Sequence, residues 1–79
     1  MENIKPLCKT LKNEISYVKK LYANDKDLRR FFDLGIIKNT KIETLMKSPS
    51  GDPTAYLIRG AVMALRKEDA EKIFVKGAD

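Results

Sequence analysis

The 79-residue chain has no histidine and a single cysteine. It therefore cannot build a zinc finger, a Cys-x-x-Cys redox pair, a Cys/His nucleophile or a Ser-His-Asp triad. Cys8 alone cannot close an intrachain disulfide, and among apolar neighbours a free thiol packs as a small hydrophobe. No apolar stretch approaches the ~20 residues that cross a bilayer, and no basic start leads into a long apolar run. Neither a membrane insertion nor a secretory signal is expected, which points to a cytoplasmic protein. Repeats, low-complexity tracts and Gly/Ser linkers are also missing, so residues 1–79 read as one domain with short connections. Most of the familiar enzyme chemistries fall away together, and no cofactor or specific metal is expected.

What is present resembles an ordinary globular chain, with 43% hydrophobic and 34% charged residues. A core of this size leaves no room for a large buried substrate cavity. Sixteen Lys and Arg against eleven Asp and Glu give a net charge of +5. That balance raises nucleic acid, an anionic membrane surface or an acidic protein face as partners. Basic residues from Lys5 to Lys76 are interleaved with Glu14, Asp33, Glu43, Asp52, Glu68 and Asp69. No basic tail forms, so the charge reads as a solubilising surface and no nucleic-acid partner is expected.

Along the chain, Ile4, Leu7, Cys8, Leu11, Ile15, Val18 and Tyr22 recur at helical spacing, whereas the β-branched and aromatic content of 15–22 favours a strand. Asn24 and Asp25 can cap a helix bearing Leu28, Phe31 and Phe32, which Gly35 ends. Lys41 to Lys47 alternates as a strand with Ile42, Thr44 and Met46 on one side. Ser48-Pro49-Ser50-Gly51-Asp52-Pro53 is the strongest turn signal. Strands then follow over Thr54–Arg59, Ala61–Leu65 and Ile73–Val75, with a helical turn or two at Lys67–Glu71. The pattern is mainly β with one to two short helices, and suits a small barrel.

The candidate constellations have economical structural readings. Glu68, Asp69 and Glu71 stand beside Arg66, Lys67 and Lys72, and predict a mixed-charge helix surface with Glu68 paired to Lys72 rather than a cation site. Asp25 and Asp27 suit the positive end of the following helix. Ser50-Gly51-Asp52 lacks the spacing of a phosphate loop, and most of Phe31, Phe32, Tyr56 and Phe74 are needed for the core rather than for stacking on bases.

Arg30-Phe31-Phe32-Asp33-Leu34-Gly35-Ile36, the Gly51-Asp52-Pro53 turn, Gly60, and the run from Ala64-Leu65-Arg66 through Ala70 to Ile73-Phe74-Val75 together resemble the FeoA family, small cytosolic proteins of bacterial ferrous iron transport. That family's pattern is an Arg-Leu-x-x-Leu-Gly helix end, a Gly-Asp-Pro turn, a Gly ending the next strand and a Leu-Arg-x-x-x-Ala-x-x-Ile-x-Val close. The chain departs from it at Phe31, where the pattern has Leu, at Asn39, and at Asn13 or Glu14, where a Gly commonly precedes the first strand. The resemblance implies an SH3-like barrel of about five strands, with Ile15 to Tyr22 as a strand. It also implies a non-enzymatic accessory that contacts FeoB, the membrane ferrous iron transporter with a cytosolic GTP-binding domain. The alternative is a stand-alone regulatory domain related to the C-terminal domain of DtxR-type iron-dependent repressors.

For such a partner the expected contact residues are Arg30, Phe31, Leu34, Asp52 and Pro53. Helical geometry groups Leu28, Phe32 and Gly35 on the side taken to face the barrel, and leaves Leu34 and part of Phe31 accessible beside Arg30. If a loop or the N-terminal segment covers them, they belong to the core instead.

Overall fold

The computed structural model describes residues 3–78. Six strands and two α-helices follow one another: β1 (Ile4–Pro6), a 3-10 turn (Leu7–Lys9), β2 (Ile15–Leu21), α1 (Asp25–Asp33), β3 (Lys41–Lys47), β4 (Thr54–Ile58), β5 (Ala61–Leu65), α2 (Lys67–Ala70) and β6 (Ile73–Gly77). The strands form one antiparallel sheet in the order β1-β6-β2-β3-β4-β5. The expected mainly-β architecture holds, with β1 as a sixth strand.

Two β-bulges explain where simple alternation misleads. In the β2–β6 ladder Val18 faces Val75, the register shifts, and Leu21 then faces Ile73. The extra residue lets Val18 and Leu21, three apart, both point to the core, which imitates helical spacing inside a strand. In β3 the register shifts between Thr44 and Met46, so that Met46 lies opposite Ala55. Ile42 and Thr44 are buried, but Met46 is turned to the outer face and exposed, contrary to the alternation expected for all three.

The N-terminal segment is neither a helix nor a single strand. Leu7 enters the core from the 3-10 turn with Cys8 half-buried beside it, and Leu11 stays exposed. Asn13 then takes a left-handed φ of 69°, the conformation a Gly would adopt freely, and Asn39 does the same at φ 73°. The Glu14 carboxylate accepts from the Leu11 N–H at 2.9 Å and pairs with Lys5 Nζ, fixing the entry into β2. Its pKa is lowered, first by that backbone N–H and then by Lys5.

One face of the sheet carries the core residues Val18, Ile42, Tyr56, Ile58, Ile73 and Val75. Leu7, Phe31 from α1 and Ala70 from α2 close over them. Burial pushes the Tyr56 phenol up to about 12. A two-residue turn joins β4 to β5 at Arg59-Gly60, with φ of 52° and 79°, so the fourth strand stops one residue short of the expected Arg59. Positive φ at both turn positions matches the twist of tight hairpins.

Candidate interaction surface

Helix α1 begins where Asn24 Oδ1 accepts from the Asp27 N–H at 2.8 Å, and Asp25 and Asp27 place negative charge in its first turn. It closes through Gly35 at φ 84°, where the Arg59 side chain lies across the glycine and donates from Nε to its carbonyl at 2.8 Å. The helix is thus pinned at its end by the β4–β5 turn.

The buried arc of α1 is centred on Phe31, which is 0% exposed. At about 100° per residue, Leu28 and Leu34 then lie about 60° to either side of it and Phe32 about 100° away. Leu28 and Leu34 are accordingly half-buried, with Leu34 packed against the core, while Phe32 is 69% exposed. The expected arrangement is corrected on this point. Phe31 is a core residue and unavailable to a partner, Leu34 is mostly covered, and Phe32 is the aromatic left outside. The spacing of Leu28, Phe31 and Leu34 carried that signal, but centring the arc on Phe32 obscured it.

Arg30 is held rather than free. Its guanidinium forks onto Asp69, with Nη1 to Oδ2 at 3.0 Å and Nη2 to Oδ1 at 2.7 Å, and Nη2 also reaches Asp27 Oδ1 at 3.1 Å. Lys72 Nζ donates to the other Asp27 oxygen at 2.7 Å. Lys72 therefore does not form the expected pair with Glu68. Because α2 ends at Ala70, Lys72 is no longer on its face and turns to α1 instead. The two aspartate side chains are only 15% and 14% exposed. Donation from Lys72, then Arg30, holds the Asp27 carboxyl below its usual range, and Arg30 does the same for Asp69. Asp69 and Asp27 in turn raise the Arg30 pKa, and Asp27 raises that of Lys72. This neutral quartet fastens α1 to α2 and to the start of β6.

Asp52 and Pro53 lie at the turn before β4, across a cis peptide bond. Asp52 Oδ1 accepts from the Lys67 N–H at 2.8 Å, capping α2, and the Pro53 carbonyl accepts from Ser48 N at 3.0 Å. Arg30 and Asp52 both reach α2, one at Asp69 and the other at Lys67. What α1 offers outward is Phe32 over an open hollow shared with Asp25, Leu28, Arg29 and Asp33. Among the described residues no three His, Cys, Asp or Glu side chains gather, and no helix is long and apolar enough to cross a membrane.

Comparison with known proteins places this architecture. No curated protein matches the sequence. The solved FeoA-like protein of Clostridium acetobutylicum is 30% identical, with a TM-score of 0.91 over 100% of this chain and 92% of that one. FeoA of Stenotrophomonas maltophilia, described as an SH3 domain protein and solved with zinc, is 26% identical with a TM-score of 0.76, over 87% and 86%. A manganese-dependent transcriptional repressor shares the fold at 20% identity and a TM-score of 0.88, this chain spanning 98% of itself but 38% of the repressor. The family model of the FeoA domain matches residues 5–77. An SH3-like sheet with two capping helices, matched along nearly its whole length, makes the chain a member of the FeoA domain family.

Proposed function

We propose that the protein is a cytosolic accessory of bacterial ferrous iron uptake that acts by contact with the cytosolic part of the FeoB transporter. The observation that carries this reading is the FeoA domain match across residues 5–77. The make-up of the chain supports it. With no histidine and one half-buried cysteine, it has few ligands with which to carry ferrous iron itself, so its contribution rests on surfaces. On α1 the contact is made by Phe32 and its polar border, with Arg30 holding the helix in place rather than reaching the partner.

Titration of the FeoB cytosolic domain by calorimetry tests this. Phe32→Asp is expected to weaken binding by about tenfold or more at an unchanged melting temperature, as for an exposed aromatic anchor. Arg30→Glu should lower the melting temperature, because it faces Asp27 and Asp69 with a third carboxylate. Full-strength binding by Phe32→Asp overturns the surface, and no binding at about 100 μM overturns the transporter reading.

The repressor likeness favours one second reading, a stand-alone regulatory domain that docks on a DNA-binding protein. Capture of a repressor in place of the transporter domain would select it.

A further inference from the structure

The two edges of the sheet differ. Strand β1 is three residues long and carries Lys5 and Pro6, both common protections of an exposed edge. Strand β5, Ala61-Val62-Met63-Ala64-Leu65, has five residues with no charge and no proline, and its register with β4 is unbroken. Among the described residues it pairs with β4 alone. Because the turn at Arg59-Gly60 has two residues, Ile58 and Ala61 form a hydrogen-bonded pair, and so does every second pair after it. Val62 and Ala64 alternate with these and direct their N–H and C=O away from the sheet. Among the described residues no turn, cap or loop hydrogen bond ends on either of them.

Their side chains are exposed, Val62 by 67%. They continue the outer face of the sheet, where Val62 lies beside Leu57 and, beyond it, Glu43, and Ala64 lies beside Ala55 and, beyond it, Met46. Both ends of the strand are basic. Arg59 precedes it, and Arg66 and Lys67 follow it. At the turn, Lys41 and Arg59 border an open groove of about 420 Å³ that also contains Leu57 and Glu43.

We propose that the β5 edge receives an extended segment of another protein, apolar at its centre and acidic at both ends, as a seventh strand. Backbone groups of Val62 and Ala64 supply four hydrogen bonds, and alternate partner side chains extend the row of Val62 and Ala64. The flanking cations select the acidic ends and set the position of the segment. The same charges disfavour a second copy of this chain. Antiparallel self-pairing about Met63 brings the Arg59 turn of each copy toward the Arg66 and Lys67 that follow β5 in the other, between molecules that each carry +5. The inference stands apart from the transporter reading, since it concerns a different face from Phe32 and its test uses no transporter.

The test titrates the isotope-labelled full chain with the blocked nonapeptide DEVTVTVED and, as control, KKVTVTVKK. The acidic peptide is expected to shift the Val62 and Ala64 amides most, to slow their hydrogen exchange, and to bind at least about fivefold more tightly than the control. Val62→Glu should weaken it at least about fivefold, and Ala64→Pro, which removes an edge donor without breaking the β4 ladder, should do the same. Both variants must keep the melting transition. No shift at about 1 mM peptide, equal binding of the two peptides, or shifts centred on α1 would overturn the proposal. Concentration-dependent shifts of Val62 and Ala64 without peptide would also overturn it, by making the occupant a second copy.

Discussion

The hydroxyls of Thr10 and Thr44 meet 2.6 Å apart inside the core, joining the N-terminal segment to β3 across 34 positions of sequence. Thr10 Oγ1 donates to the Leu7 carbonyl at 2.7 Å, so the proton between the two hydroxyls comes from Thr44. Thr10→Val leaves the Thr44 hydroxyl buried without an acceptor and is expected to cost about 1–3 kcal/mol by urea unfolding. The double change to valine should cost less than the sum of the single changes, because it removes both partners together. Additive losses would mean that the contact contributes nothing.

A side chain at Gly35 is strained and must displace Arg59. A Cβ there would lie 2.6 Å from Arg59 Cδ and 2.8 Å from Nε, on a backbone already at φ 84°. Gly35→Ala is expected to lose about 1–2 kcal/mol from the left-handed backbone alone, and more from displacing Arg59. Adding Arg59→Ala should recover the second part and leave the first, which melting curves of the single and double variants would show.

The pH profile should be flat between about pH 6 and 8, where no imidazole titrates. The limits come from the groups that folding shifts. Asp27 and Asp69 titrate below their ordinary 3.8 when folded, so their contribution is present above that value and is lost as pH falls through the folded pKa. Glu14 behaves in the same way below its ordinary 4.5. At the alkaline end Tyr56 is raised from 10.0 to about 12, so unfolding is favoured increasingly as pH rises through that interval. Thermal melts should show the acid loss below about pH 4 diminished in Asp69→Asn.

Ser16 is fully buried on β2, and among the described residues its Oγ has no hydrogen-bond partner. Removing a hydroxyl that is desolvated and unpaired relieves a penalty, so Ser16→Ala is expected to keep or raise stability by up to about 1 kcal/mol. A clear loss in chemical denaturation would contradict that assignment.

Much of this architecture was legible because the signals were local. The Asn24 cap, the Gly35 stop, the Ser48–Pro53 turn and the strands over Lys41–Lys47 and Ala61–Leu65 each follow from a few neighbouring residues. The bulges in β2 and β3 were not, because pairing across strands decides where an extra residue sits. Met46 consequently faces outward, against simple alternation. The Arg30–Asp69 and Asp27–Lys72 pairs join residues 39 and 45 positions apart, which no helical or strand period can reveal. Of the expected contact set, Phe31 became core and Asp52 a helix cap, each in a role set by a neighbour distant in sequence.

Strand β6 lies between β1 and β2, so the last strand of the domain is an interior one. The β3-β4-β5 meander pairs neighbours in sequence, whereas the other half of the sheet joins segments from opposite ends of the chain. Loop closure makes such distant pairing the slow event. Without the last strand β2 keeps only its β3 neighbour, and the ladder that seats Val18 and Leu21 against Val75 and Ile73 waits for β6. Chains truncated before Ile73 should therefore leave the β6 side of β2 open to chaperones, and restoring Ile73–Gly77 should end that exposure.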